Sequence, residues 1–502
     1  MSEPQIDIRP DHWAIVRDIL QRHVPQYAVW AFGSRAKWTA KEYSDLDLAI
    51  ITDSPLPLAT SAALAEDFSE SDLPWKVDIV DWAETSETFR KIIERDRVVV
   101  AEPAWQKTVL GDICHLQGGS IQTGPFGSQL HASDYTSSGT PVVMPLNLID
   151  GRIEEKDIAR IPSEFVQKLS RHKLAVGDII FSRRGDVTRF ALVSEKEKGW
   201  ICGTGCLKVA IGKGNLAIAE FIAKSLASPD SQEWLIRHAV GATMPNLNTG
   251  ILSSVPVSLP PIAEQRAIAH ILGTFDERIE LNRRMNETLE AMARSLFNSW
   301  FVNFDGVPAE DMQESELGLI PKGWRIGEFE ELLVLQRGFD LPTQARIAGQ
   351  FPVIAAGGIN GTHNEAMVKG PGVVTGRSGV LGNVYFELGD FWPLNTTLWV
   401  KEFRIAKPCY AYELLRGFDF KLFNSGSAVP TLNRNHIHHL PQIIPPAELI
   451  NDFEKEAMTL RQRMDSNERE SQALAQLRDT LLPKLISGEV RIKDAERLAE
   501  TA

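Results

Sequence analysis

Gly241-Ala-Thr-Met-Pro-Asn-Leu-Asn248 returns, conservatively altered, as Gly426-Ser-Ala-Val-Pro-Thr-Leu-Asn433, 185 residues downstream. The same offset carries Pro260-Pro261 onto Pro445-Pro446, and Leu289, Met292 and Leu296 onto Leu474, Leu477 and Leu481. Upstream, Gly177-Asp-Ile-Ile-Phe-Ser-Arg-Arg-Gly185 resembles Gly372-Val-Val-Thr-Gly-Arg-Ser-Gly379 at a shifted offset, as insertions would produce. Two copies do not make a solenoid; they make one large unit used twice.

Each unit has two parts. The first is rich in Gly, Val, Ile and turn residues, and short apolar runs such as Thr140–Met144, Asp178–Phe181 and Phe190–Val193 read as strands. Helix is expected around Ala217–Val240. The second part starts after the Pro-Pro pair. There Ile268, Leu272, Phe275, Ile279, Leu289, Met292 and Leu296 recur at a 3–4 spacing, the mark of a helix of about 40 residues and about 60 Å. Phe453, Ala457, Leu460, Met464, Leu474, Leu477 and Leu481 repeat that seam. Asn282 and Asn467 hold the same seam position, where a buried polar side chain would fix register. The two helices are therefore expected to form a mutual antiparallel coiled coil rather than to pack separately.

Composition sets outer limits. The chain has 502 residues, 43% hydrophobic and 24% charged, which predicts several globular units rather than disorder. No apolar run is long enough for a membrane span and no signal-peptide pattern opens the chain. Four cysteines cannot staple a chain of this length, which suggests a reducing cytoplasm. The net charge of −13 is unevenly spread. Residues 1–105 carry −8, whereas 106–261 and 318–446 each carry +2, so any phosphate contact is expected on two confined patches.

The motifs Ile121-Gln-Thr-Gly-Pro-Phe-Gly-Ser-Gln-Leu130, Gly177–Asp186, Met244-Pro-Asn-Leu-Asn248 and Pro260-Pro-x-x-Glu-Gln-Arg266 resemble the specificity subunit of type I restriction-modification systems. The resemblance spans roughly residues 105–490. It implies two target-recognition domains that each read half of a bipartite site on double-stranded DNA. The paired helices would set their spacing and dock methyltransferase subunits, with nuclease-translocase subunits joining outside. The chain has no Walker phosphate loop and no Asp/Asn-Pro-Pro-Tyr/Phe methylation motif, so S-adenosylmethionine and ATP would act only through partner subunits. Arg183, Arg184 and Arg189 fall in an expected hairpin loop and Arg377 in its counterpart, where guanidinium forks suit guanine edges or phosphates. The plain alternative is a solvated turn with an arginine paired to Asp186. Gln122, Phe126 and Gln129 could line the same surface.

The first hundred residues are a different object. Ala28–Phe32 reads as a strand entering Gly33-Ser34, and Asp45-Leu-Asp47 places two carboxylates at i and i+2 of a second strand. Lys76-Val-Asp78-Ile-Val80 offers a third. Such acids beside a Gly-Ser turn suit a divalent cation and a phosphate chain. The pattern resembles the minimal nucleotidyltransferases of the DNA polymerase β-like superfamily. That implies Asp45, Asp47 and Asp78 as catalytic Mg²⁺ ligands, Asp78 helping to activate an acceptor hydroxyl, and Gly33 and Ser34 on the triphosphate. The chain departs from the family at Trp38, where glycine is usual.

The expected class is thus α+β and multidomain: an α/β nucleotidyltransferase-like domain (1–104), α/β recognition domains (105–261 and 318–446) and two spacer helices (262–305 and 447–488). A rival reading makes the first domain a working enzyme on protein or RNA, merely directed to DNA by the repeat; a third makes it an inert docking module. Cys202 and Cys206 suggest a small buried thiol pair. His436, His438 and His439 are expected to be surface or loop residues, and the acidic tail beyond Ile486 a solvated end.

Overall fold

The computed structural model describes residues 5–52, 54–241, 243–423, 431–490, 492 and 495. The repeat residues Gly426–Pro430 and most of the tail beyond Val490 lie outside the described residues. The chain divides into two compact units, 1–274 with 477–502, and 275–476.

In the first unit, the amino-terminal strands form one sheet in the order Val77–Asp81, Leu46–Ile51, Ala28–Phe32, Val98–Ala101. Only the first pair is parallel. Side chains alternate across a strand, so Val29, Ala31, Leu46, Leu48 and Ile50 face one way. They pack with Trp13, Val16 and Leu20 of helix Pro10–His23 and Leu64 and Phe68 of helix Leu58–Ser69. Phe32 and Ala49 face the other way, against Ile93 of helix Glu87–Asp96, whose start is capped by the Ser86 hydroxyl.

The first head, also in this unit, has an antiparallel four-stranded sheet ordered Phe190–Leu192, Ile179–Ser182, Cys206–Gly212, Gly118–Thr123. A three-stranded sheet joins Ala159–Ile161, Thr140–Val143 and Ile201–Cys202, and a short ladder pairs Gln106–Val109 with Pro256–Leu259. Helices occupy Ala219–Ala227 and Pro229–His238. The second unit repeats this plan. Its four-stranded sheet runs Val384–Glu387, Val373 and its neighbours in Gly372–Gly376, Thr397–Phe403, Leu333–Arg337. Its three-stranded sheet again contains one parallel pair, and Arg325–Glu328 pairs with Pro441–Ile444 as the entry ladder. The duplication expected from the 185-residue offset is therefore a duplication of topology.

Two helices of 40 residues each, Ile262–Phe301 and Ala447–Ile486, follow the two entry ladders. Within the second unit they run antiparallel. Arg278 meets Glu470 at 2.8 Å, Asn286 Nδ2 donates to the Met464 carbonyl at 3.2 Å, and Phe297 stacks edge-on to Phe453 with centroids 5.8 Å apart. Asn282 and Asn467 are both 1% exposed. Asn282 Nδ2 donates to the Asn467 carbonyl (3.3 Å), and Asn467 Nδ2 donates to Asn286 Oδ1 (2.8 Å). Displacing one helix by a single residue would strand these amides in an apolar seam, which is how they enforce register.

One seam position is corrected: Met292 is 51% exposed, and Ala293, Phe297 and Phe301 are buried instead. The helix gains a second partner there while keeping Phe453 of the first. Past Glu290 it packs on the second head, with Phe301 edge-on to Tyr410 at 4.9 Å, so the buried stripe shifts by one residue. A second correction concerns the histidines. His438 is buried, and its Nε2 accepts the Leu335 backbone N–H at 2.9 Å, a structural bond; His436 and His439 are exposed. The tail is not wholly solvated either, since Ala495 is fully buried and a Cβ at Gly488 would meet the Trp105 indole at 3.3 Å. Cys202 and Cys206 are buried free thiols, and burial pushes Cys202 up to about 12.

Candidate functional site

The amino-terminal site is built by strand register. Asp47 lies directly opposite Asp78 in the parallel pair, and Phe32, the residue before Gly33, lies opposite Asp47 on its other side. Gly33 has φ +75°, and a Cβ there would stand 2.1 Å from Asp47 Oδ2. No other residue fits both the left-handed backbone and the carboxylate behind it. Asp45 precedes the strand, which begins at Leu46, and is exposed. Burial pushes the Asp47 carboxyl above the usual carboxylate range, and the like charges of Asp78 and Asp45 push it further.

Asp78 holds Lys76 Nζ at 2.5 Å. The neighbouring acid, Asp81, is spoken for: its oxygens accept the Leu56 N–H (2.6 Å), the Ala83 N–H (3.0 Å) and the Thr52 hydroxyl. Asp78 is thus the acid of this strand left facing Asp47. Among the described residues no three His, Cys, Asp or Glu side chains stand ready as a cation cage. The donor set nevertheless fits a divalent ion: two register-paired carboxylates repel each other, and the cation now on Asp78 is a flexible lysine that can swing away.

Arg35 does not face this cluster as a free cation. It is buried, donates to the Ser44 and Asp7 carbonyls at 2.9 and 2.8 Å, and lies 4.3 Å over the Trp75 ring, so it fastens the loop carrying Asp45. Trp38 has φ +59° and is 65% exposed. The family glycine that it replaces would be unstrained there, whereas a bulky L-residue costs about 1–2 kcal/mol. Neither Lys76 nor this strain was signalled by the motif.

In the first head, residues 183–189 link two antiparallel strands as expected. The Arg183 N–H donates to the Gly205 carbonyl (2.8 Å), its carbonyl accepts the Leu247 N–H (2.9 Å), and the Gly185 N–H donates to the Pro245 carbonyl (3.0 Å). The arginine loop is thereby stitched to the Met244–Asn248 motif, and Arg184 bridges Asn246. Arg184 is exposed and Arg183 half-buried, with its Nε unpartnered. Arg189 is paired with Asp186 at 3.1 Å, the plain alternative noted above. Gln122 is spent on the Arg171 carbonyl, and Gln129 Oε1 caps its own turn at the Phe126 N–H. In the second head the Arg377 N–H donates to the Thr396 carbonyl and its carbonyl accepts the Leu432 N–H, both at 2.8 Å. Arg377 therefore matches Arg183, and Ser378 stands where Arg184 does, bridging Thr431.

Residues 103–291 match the type I restriction modification DNA specificity domain, and residues 16–104 match the polymerase beta nucleotidyltransferase family. Over 108 residues the chain is 58% identical to a probable protein adenylyltransferase, MntA, of Haemophilus influenzae, covering 22% of this chain and 93% of that protein. Over 423 residues it is 23% identical to the MjaIX type I restriction enzyme specificity subunit of Methanocaldococcus jannaschii, covering 78% of this chain and 94% of that one. A solved type I S subunit from M. genitalium aligns at 18% identity and a TM-score of 0.49, over 76% of this chain and 96% of that chain. The chain thus carries a type I restriction modification DNA specificity domain at 103–291, preceded at 16–104 by a polymerase β-family nucleotidyltransferase domain similar to MntA, and it is similar to type I specificity subunits over most of its length.

Proposed function

We propose that the two heads read the two halves of a bipartite site on double-stranded DNA while the helical pair sets their spacing and docks methyltransferase subunits. Nuclease-translocase subunits would complete the assembly, and S-adenosylmethionine and ATP would enter through those partners. The division into 1–104, 105–261, 262–305, 318–446 and 447–488 follows these roles. The observation that carries the proposal is the repetition of one strand order with an arginine, Arg183 or Arg377, bonded into the same loop position in each copy. Arg184 and Arg377 are assigned to DNA contact with Arg183 beside them; Arg189, held by Asp186, is assigned to shaping the loop. Replacing Arg184 and Arg377 by alanine should weaken DNA binding and lower the slope of its salt dependence by about two phosphate equivalents if both touch phosphate. A filter-binding titration with an unchanged slope and unchanged affinity contradicts the assignment.

The second part of the proposal is that the amino-terminal domain transfers the adenylyl group of ATP to a hydroxyl acceptor on a protein: the acceptor oxygen bonds the α-phosphorus, the α–β anhydride bond breaks and pyrophosphate leaves. The 58% identity to a probable protein adenylyltransferase supports it. Mg²⁺ held by Asp47 and Asp78, with Asp45 at the rim, would supply charge neutralisation to the phosphates. Gly33 lets the turn pass directly against the Asp47 carboxylate, Ser34 beside it offers a hydroxyl for a phosphate oxygen, and Asp78 would take the acceptor proton once Lys76 has moved aside. With labelled ATP and Mg²⁺, the purified complex should label a protein acceptor, and Asp45→Ala with Asp47→Ala should abolish labelling. Labelling that persists in this double variant removes the site. Trp38→Gly should stabilise the domain by about 1–2 kcal/mol through relief of backbone strain, read by urea denaturation.

A further inference from the structure

The end of the first head that bears Arg184 is also unusually apolar. Five loops meet there. Gly124 packs so closely on Gly203 that it has no room for a side chain, and its N–H donates to the Cys206 carbonyl at 2.9 Å. Gly203 in turn lies against Val143 and Met144, and Gly205 lies against Pro145 and accepts the Arg183 N–H. Arg184 bridges Asn246. From this cluster three large apolar side chains stand into solvent: Phe126 is 57% exposed, Leu146 61% and Met244 61%. None closes a core, and each sits one or two residues from a backbone contact that fixes its loop.

The equivalent end of the second head has different chemistry. Gly338 approaches the Leu394 carbonyl as Gly124 approaches Gly203, so Asp340 takes the place of Phe126. Ile354 pairs with Pro393 as Val143 pairs with Cys202, so Gly357 takes the place of Leu146. Asp340 lies 3.7 Å from Arg337 and bonds the Asn395 amide, so a polar group stands where Phe126 does; the Arg377 loop bears one smaller exposed apolar side chain, Val380, and the counterpart of Met244, Val429, lies outside the described residues.

Resting on the proposed DNA-reading function, we infer that Phe126, Leu146 and Met244 are specificity-determining residues of the first head and that they contact thymine C5-methyl groups in the major groove. Exposed apolar side chains flanking an arginine suit such a surface: the guanidinium answers phosphate or guanine, and a thymine methyl is the only apolar feature a base pair presents in that groove. The second head, carrying Asp340 and Gly357 at those places, has no such preference for the methyl. The two half-sites therefore differ in kind: one is read partly through methyl groups, the other through hydrogen bonds.

Uracil is thymine without the methyl, which makes the test direct. Once the methylated motif is known, the assembled complex is titrated with duplexes carrying dT→dU changes in one half-site or the other. One half-site should lose about fourfold in affinity per contacted thymine, the worth of one buried methyl group, and the other should not respond. The responding half-site should cease to respond in a Phe126→Ser, Leu146→Ser variant, whose exposed positions leave folding intact. Retained sequence-specific binding with no uracil response in either half-site, or an equal response in both, overturns the inference alone. So does a variant that loses co-purification with the methyltransferase while keeping the uracil response, since the apolar tips would then belong to a protein interface. Absence of any sequence-specific DNA binding by the wild-type complex overturns the underlying function and the inference together.

Discussion

The two copies of the recognition unit share a strand order but are fastened to their helices by opposite chemistry. In the first, Gln265 at the start of the central helix is fully buried; its Oε1 accepts the Ile218 N–H at 3.1 Å, and its Nε2 donates to the Leu216 and Pro260 carbonyls at 2.8 and 2.9 Å. At the repeated position the second copy has Ile450, buried among aromatics. Its polar fastening is ionic instead. Arg461 reaches Glu290 at 2.5 Å and Glu413 at 3.2 Å and lies 4.2 Å over the Tyr412 ring. Glu454 accepts the Cys409 N–H at 2.9 Å, at the start of helix Pro408–Arg416, where the helix dipole favours an acid. A neutral amide that satisfies three backbone groups is self-sufficient. A charge cluster sunk in a core depends on every member, because any survivor is left buried and unpaired.

The largest expected effect follows from that dependence. Arg461→Ala should destabilise the second unit by about 3–5 kcal/mol in urea denaturation. A mild effect of the single change would show that the ionic fastening is not what it is taken to be. Gln265→Ala in the first copy should cost about 1–3 kcal/mol through the orphaned backbone groups, with faster amide exchange at Ile218. Between the helices, Asn282→Leu with Asn467→Leu should raise stability by about 1–3 kcal/mol, because each amide has a buried oxygen without a partner. It should also blur the spacing of the methylated motif. The smallest effect is a pH dependence. Burial raises the Glu454 carboxyl above its ordinary range, outweighing the N–H groups of Cys409 and Tyr410. The folded chain thus holds that proton more tightly than the unfolded chain. The stabilisation is full below the ordinary carboxylate range and is lost as pH rises through the folded value. Against Glu454→Gln, the wild type should weaken over that interval; a constant difference would refute the linkage.

What the sequence disclosed, and what it hid, follows the same division. Asn282 and Asn467 were legible because the seam repeats at helical spacing and the offset put both amides at one position. The Asp47–Asp78 pairing was legible because acids in short Val/Ile-rich strands must fall into a register. Met292 misled because a heptad pattern carries no sign of where a domain packs onto the helix pair: the buried stripe moved to Ala293 and Phe297 where the second head joins Phe453 against it. His438 could not be placed, since its bond to the Leu335 N–H spans 103 residues. Arg461 looked like any charged residue on a solvated helix face, and only the fold brings Glu290 and Glu413 around it. Trp38 was visible as a departure from the glycine of the motif, but its left-handed backbone was not.

The central claim is that two unlike heads on one helical pair read one divided site. The most direct measurement is the genome-wide map of methylated adenine in cells carrying this gene and in cells lacking it. The account expects a single motif of two short specified parts around an unspecified gap to vanish with the gene, and its gap to widen in discrete steps when whole heptads are added to both helices. Loss of no motif, or loss of an undivided one indifferent to helix length, would contradict it.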